Sequence, residues 1–315
     1  MQRLALLSIA VLLAGCGGQR GGGADDGGAT VDSDLSGRIQ ADGSSTVGPY
    51  TTAAAERFHG EHPDVQLTVG VSGTGGGFER FCAGETDLSN ASRPIKDEEA
   101  AACESAGIEF VEFQVANDAL TVVVNPENDW VDCLTVSQLE KIWDTGSKVK
   151  SWQDVDPSFP DVTMKLYGAG TDSGTFDYFT EAINGEAGRS RSDYSATEDD
   201  NVTVQGVAGD KGALGYFGLS YYEQNKDRLK ALEIDGGDGC VAPSVETAQS
   251  GTYKPLSRPL YVYAKQASFA RPEVHAFIEF VLDNEREIAG AAQFVPLTDE
   301  QLTKAKADLA AATAG

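Results

Sequence analysis

Gly168-Ala169-Gly170-Thr171-Asp172-Ser173-Gly174-Thr175-Phe176-Asp177-Tyr178-Phe179 runs a cluster of glycines and hydroxyl side chains straight into an amphipathic segment. The pattern predicts a helix N-terminus stripped for anion capture. Small residues let backbone N–H groups approach an anion, hydroxyls add donors, and the helix dipole favours negative charge. Two further stretches repeat it ahead of helical runs: Asp42-Gly43-Ser44-Ser45-Thr46-Val47-Gly48-Pro49 and Ser72-Gly73-Thr74-Gly75-Gly76-Gly77-Phe78. Helix capping alone accounts for any one of these clusters. Three in one chain point to a shared oxyanion site.

Outward from these turns, β-rich and helical runs alternate. Residues 38–41, 65–71, 87–91 and 108–113 read as strands, and 47–59, 76–83 and 96–105 as helices. This is the rhythm of a parallel, doubly wound sheet, whose ligands collect beyond the carboxyl ends of its strands. A second unit begins at the apolar run 119–124 and continues through a helix at 136–143, a strand at 164–167, the helix after Ser173 and a strand at 213–217. The strand 260–263 and the helix 272–282 close the pattern. If that last pair returns to the first sheet, the chain crosses twice between lobes and makes a hinge. The expected fold is α/β and two-lobed, each lobe a doubly wound mixed sheet flanked by helices, with lobe 1 at 38–117 plus 258–315 and lobe 2 at 118–257.

The N-terminus fixes a compartment. Met1-Gln2-Arg3, an apolar run from Leu4 to Leu13 and Leu13-Ala14-Gly15-Cys16 resemble the signal and lipobox of bacterial lipoproteins, which makes 1–15 a signal peptide and Cys16 the lipidated residue. Residues 16–37, rich in Gly, Asp and Ser, read as a flexible tether. The other four cysteines fit an oxidising compartment. They allow three pairings. Cys82 with Cys103 and Cys133 with Cys240 is favoured because it keeps each pair within one lobe. No Cys-x-x-Cys occurs and the chain has only 3 histidines, so neither a metal nor a cofactor is expected.

A net charge of -25 argues against nucleic acid as a partner. It also requires that any anion site work through short-range, directed donors against a repelling field. Catalysis finds no support. Asp144-Thr145-Gly146 and Asp172-Ser173-Gly174 match the aspartic protease triplet but lie too close together for that fold, Gly-x-Ser-x-Gly is absent, and no histidine sits in the context of a base.

Gly43-Ser44-Ser45-Thr46-Val47, the turn from Thr74 to Phe78, Asp87-Leu88-Ser89-Asn90-Ala91-Ser92-Arg93-Pro94-Ile95, Gly170-Thr171-Asp172-Ser173-Gly174-Thr175, the block from Asp199 to Val207 and Gly212-Ala213-Leu214-Gly215-Tyr216 resemble, in this order, the signature blocks of phosphate-binding proteins of Pst-type ABC importers. The resemblance covers the whole body after the tether. It implies a two-lobed, periplasmic-binding-protein-like fold that closes around inorganic phosphate and delivers it to a membrane permease. The protein is then an envelope protein on the periplasmic or extracellular face, lipid-anchored and monomeric. Other oxyanions (sulfate, molybdate, tungstate) and a phosphate-sensing role are the alternatives.

Carried over by position, Ser44, Ser45, Thr46, Val47, Thr74, Ser173, Gly174 and Thr175 are the implied ligand contacts, with Thr171 and Asp172 in the same turn. The chain departs from the family pattern at two places. Ser92 stands where family members carry an Asp that accepts the ligand's proton, and no Arg precedes Ser173-Gly174-Thr175. Arg93 is therefore the expected site cation, Arg191 a second candidate, and Asp172 or Asp42 the expected proton acceptor. Arg93 is equally open to a surface pairing with Asp87 or Glu85.

Overall fold

The computed structural model describes residues 35–314. The predicted signal peptide, Cys16 and nearly all of the tether lie outside the described residues. Among those described, no helix is long and apolar enough to cross a membrane. In chain order the elements are β1 (Gly37–Gly43), α1 (Gly48–Glu61), β2 (Val65–Val69), α2 (Gly73–Cys82), β3 (Leu88–Ala91), α3 (Asp97–Ser105), β4 (Phe110–Val124), β5 (Cys133–Thr135), α4 (Val136–Trp143), α5 (Trp152–Val155), β6 (Lys165–Ala169) and α6 (Gly174–Asn184). There follow β7 (Ser195–Thr197), α7 (Asp200–Ala208), β8 (Ala213–Gly218), α8 (Leu219–Asn225), β9 (Lys230–Ala231), β10 (Glu233–Asp235), β11 (Cys240–Val241), α9 (Val245–Gln249), β12 (Ser257–Lys265), α10 (Pro272–Asp283), α11 (Glu285–Ala291) and α12 (Asp299–Thr313).

The main sheet has 9 strands in the order β2-β1-β3-β12-β4-β8-β6-β7, with β9 also on β4. It is mixed, in keeping with the expected fold. β1 pairs parallel with β2 and β3, and β6 with β7 and β8, but β12 runs antiparallel to β3 and β4, and β4 antiparallel to β8. The strands read separately at 108–113 and 119–124 are one 15-residue strand. Its first part pairs with β12 and its last five residues with β8.

Two large cores lie on either side of this continuous strand. Ala116 and Leu260 belong to the first core, whereas Leu120 and Leu256 belong to the second. In the first, Tyr50, Ala54 and Phe58 recur at helical spacing on α1 and meet Phe277 of α10. In the second, Phe179 of α6 stacks on Tyr216 of β8 with ring centroids 3.7 Å apart, and Trp143 packs edge-on against both. Burying Phe176, Tyr178 and Phe179 turns the positions of Asp177 and Glu181 away from the core, one helical turn apart.

The disulfides follow the expected pairing. Cys82–Cys103 ties α2 to α3, and Cys133–Cys240 ties β5 to β11. On the loop-entropy account the short ring contributes roughly 3 kcal/mol and the long one roughly 4.7. Each lies to one side of the crossing strands.

The first core holds a carboxyl group at a cost. Glu285 is 1% exposed; its Oε1 accepts the Leu297 N–H at 2.8 Å, and its Oε2 has no partner. Burial pushes its carboxyl up to about 7, with the Leu297 N–H and Arg286 opposing. The folded protein therefore keeps this proton where the unfolded chain has lost it. The associated stability is fully present below about pH 4.5 and falls by about 3 kcal/mol as the pH rises to about 7. Glu285→Gln keeps the acceptor for Leu297 and removes the titration. Denaturant unfolding should find it more stable than the parent at pH 7.5, and the difference should vanish or reverse at pH 4.5.

Candidate functional site

All three glycine-hydroxyl turns lie where strands end and helices begin, but they are not built alike. Gly43 closes β1 at φ 138°, and a Cβ there would lie 2.2 Å from the Asn90 carbonyl oxygen, so only glycine fits. The chain then turns through Ser44, Ser45 and Thr46 into α1. The Ser44 N–H donates to the Asn90 carbonyl at 2.9 Å, and Ser44 Oγ accepts the Val47 N–H at 3.4 Å. Val47 itself is a core side chain, leaving only its backbone near the turn.

The second turn starts α2 earlier than expected, at Gly73 rather than Gly76. Gly77 explains why glycines enter a helix they ordinarily weaken. A Cβ at Gly77 would meet Gly43 Cα at 2.5 Å, so α2 packs on β1 only without side chains. Thr74 Oγ1 and Ser92 Oγ lie 3.1 Å apart, and the Ser92 N–H donates to Thr74 Oγ1 at 3.2 Å, which links the second turn to the end of β3.

The third turn comes from the other side of the crossing strands. Ser173 caps α6, its Oγ accepting the Thr175 N–H at 3.1 Å. Gly174 packs directly on Thr46, where an added Cβ would lie 3.0 Å from Oγ1 and 3.1 Å from Cα. The two lobes therefore touch through one glycine and one threonine. Ser45 Oγ and Asp177 Oδ2, at 3.5 Å, form a second contact between them.

A cavity of about 280 Å3 opens beside these contacts, lined by Ser44, Ser45, Thr46, Thr74, Ser92 and Arg93, with Lys96, Asp177, Tyr178, Glu181 and Arg258. Another, of about 230 Å3, lies across the Ser45-Thr46 turn and takes in Ser173, Gly174, Thr175, Asp118 and Asp200. Burial, with Asp199 and Glu198 beside it, pushes the Asp200 carboxyl up to about 6.

Arg258, on β12, also lines the first cavity, and sequence reasoning missed it. Its side chain is 13% exposed. Nε pairs with Asp118 Oδ2 at 3.3 Å, Nη2 donates to Thr46 Oγ1 at 2.9 Å, and the guanidinium lies 3.5 Å from the Tyr178 ring centroid. Arg258 and Asp118 are cross-strand neighbours in the β12–β4 register. Burial pushes the Asp118 carboxyl up, and Arg258 draws it back only in part. A signal was present in the chain: Asn117-Asp118 stands immediately before the apolar run 119–124, and Arg258 at the start of β12.

Several expected residues are placed elsewhere. Arg191 is buried away from the cavity, bound to both Asp193 oxygens and to the carbonyls of Ile142 and Val149. It holds the end of α4 to the following loop. Thr171 and Asp172 are exposed and line neither cavity. Asp42 is 2% exposed and fully engaged, accepting from Gly43 N–H, Ser72 N–H and Ser72 Oγ and pairing with Arg80. It is a strut for the second turn. Arg93 does line the cavity, yet its fork is bidentate to Glu99 at 2.7 and 2.8 Å, while Asp87 and Glu85 pair with Arg271 and Arg80. Burial pushes the Glu99 carboxyl up, but the hydrogen bonds and charges of Arg93 and Lys96 together outweigh it and the net direction is down. As chemistry, the cavity offers hydroxyls, helix N-termini, guanidinium groups and the Lys96 ammonium, with the carboxylates of Asp177 and Glu181 beside them.

Residues 26–285 match the model of a PBP superfamily domain. Protein SphX of Synechococcus elongatus is 48% identical over 270 residues, covering 85% of this chain and 80% of its own. Phosphate-binding protein PstS of Staphylococcus saprophyticus is 41% identical over 305 residues, covering 96% and 91%. The crystal structure of a possible phosphate binding protein from Planctomyces limnophilus has 50% sequence identity and a TM-score of 0.86, over 88% of this chain and 99% of that one.

The Gly174–Thr46 approach yields a direct test. Gly174→Ala adds a methyl group that the helix tolerates and that crowds Thr46, so the interlobe contact must give by a few tenths of an ångström. Circular dichroism should be unchanged, while denaturant unfolding should find the variant destabilised by about 1 kcal/mol.

Proposed function

The chain belongs to the PBP superfamily and, within it, to the PstS-type phosphate-binding proteins, and from that membership we propose that it captures inorganic phosphate between its lobes and delivers it to the permease of an ABC importer. It acts as the extracytoplasmic binding subunit and performs no catalytic turnover. Cys16 is its lipid attachment point, and it works as a monomer. The crossings at Asn117–Ala119 and Ser257–Pro259 are the hinge, with lobe 1 at 38–117 plus 258–315 and lobe 2 at 118–257.

One observation carries the assignment of the site: Arg258 is largely buried at the crossing, held by Asp118 and Tyr178, and aimed at Thr46 among hydroxyls and helix N-termini. A fixed, permanently charged fork in such a setting suits a tetrahedral oxyanion, because guanidinium donors match its oxygens in pairs. The directed donors act at short range, which is how an acidic protein holds an anion. Thr46, Thr74, Ser92 and Arg93 supply the lobe 1 contacts, and Ser173, Gly174 and Thr175 the lobe 2 contacts.

The test is calorimetry at fixed ionic strength on protein stripped of anions by partial unfolding, with phosphate and then sulfate as titrant. Phosphate should bind at micromolar concentration or tighter, and silence toward phosphate with binding of sulfate overturns the substrate. Arg258→Gln is best made together with Asp118→Asn, so that no buried carboxylate is left unpaired. The pair should weaken phosphate binding by roughly 10- to 100-fold, the loss of one or two charge-assisted hydrogen bonds. Arg191→Lys should leave affinity unchanged.

A further inference from the structure

The cavity that the phosphate reading fills contains carboxylates as well as donors. Asp177 and Glu181 both line it, one helical turn apart on α6. A carboxylate facing an anion repels it unless the ligand brings a proton to the contact. Glu181 is exposed and acts electrostatically on Arg93, a cation of the opposite lobe that offsets it. Asp177 is different. Among the described residues its one side-chain partner is Ser45 Oγ, at 3.5 Å.

Its origin matters as much as its contact. Ser45, Thr46, Thr74, Ser92 and Arg93 all belong to the lobe containing α1 and α2, and every one of them can donate a hydrogen bond. That surface carries no carboxylate, the strong acceptor that would set hydrogen phosphate apart from sulfate, two tetrahedral dianions that differ by a proton. Asp177 arrives from the other lobe, on the helix whose Gly174 packs against Thr46.

Resting on the phosphate-capture reading, we propose that Asp177 is a specificity-determining residue that reads the ligand's proton, and that it does so only as the lobes meet. Either anion settles on the donor surface of the open cleft. Closure then sets Asp177 against the ligand. Hydrogen phosphate completes an O–H···O bond to the carboxylate, whereas sulfate presents a second unshielded negative group and keeps the lobes apart. Discrimination is thus a property of the closing step rather than of first contact. Burial already pushes the Asp177 carboxyl up, with Ser45 and Arg258 opposing and Glu181 adding to it, in keeping with a group that takes a hydrogen-bonded proton readily.

The experiment pairs calorimetry with small-angle scattering on the purified protein, using inorganic phosphate and sulfate as the probes. In the parent, phosphate should bind and reduce the radius of gyration, and sulfate should do so at no concentration tested. Asp177→Asn replaces the acceptor with an amide that donates to either anion. Phosphate affinity should fall at least tenfold, and sulfate should now bind and compact the protein. Asp177→Ser, whose hydroxyl donates or accepts, should narrow the difference without inverting it and guards against a misfolded asparagine variant. An unchanged phosphate-to-sulfate ratio in both variants, or compaction of the parent by sulfate, overturns the proposal while leaving phosphate capture intact. Failure of the parent to bind phosphate overturns the reading beneath it.

Discussion

The Arg258–Asp118 pair is the constraint on which the rest of the cleft depends. Both residues sit opposite each other on the two strands that pass from one core to the other. Removing two such groups from water costs several kcal/mol each, and the pair is tolerated only because its geometry supplies further partners. Tyr178 provides a π face and Thr46 a hydroxyl, one from each lobe. Tyr178 is itself fixed by its hydroxyl, which donates to the Pro255 carbonyl at 2.9 Å, just ahead of β12. The same side chain thus sets strand register, interlobe contact and the charge of the cavity.

Much of the architecture was legible because hydrophobic periodicity encodes it. Val136–Trp143 is the helix its pattern predicts, and β1, β2, β3, β6, β8 and α10 fall within a few residues of their expected places. The reading failed where polarity served the site. Asn117-Asp118 looked like a break between two strands, yet it is the middle of one, with Asp118 paired to Arg258 and Asn117 bonded to Gln114 and Gln301. Gly73 and Gly75 at the start of α2 looked like loop, because glycine weakens a helix by propensity.

The site residues divide along the same line. Local motifs located the three turns, since capping and anion binding draw on the same short-range chemistry. The charged members could not be placed from sequence, because their partners are distant in the chain. Arg191 resembled a free cation until Ile142 and Val149 supplied its acceptors, and Asp42 a free acceptor until Ser72 and Arg80 engaged it. Arg258 stands 212 residues from the threonine it reaches. Only the sheet register brings them together.

The unbroken course of β4 has a mechanical consequence. A joint made of loop can take up a large rotation in a few dihedral angles. Here the chain passes between the cores as two strands hydrogen-bonded to each other, with one irregularity at Leu260/Tyr261. Such a ribbon behaves as a leaf spring, stiff to bending across its hydrogen bonds and compliant to twist along its length. The lobes are tethered by an elastic element with a preferred angle, so any change in cleft width is resisted by twist along the ribbon rather than taken up freely at a loop.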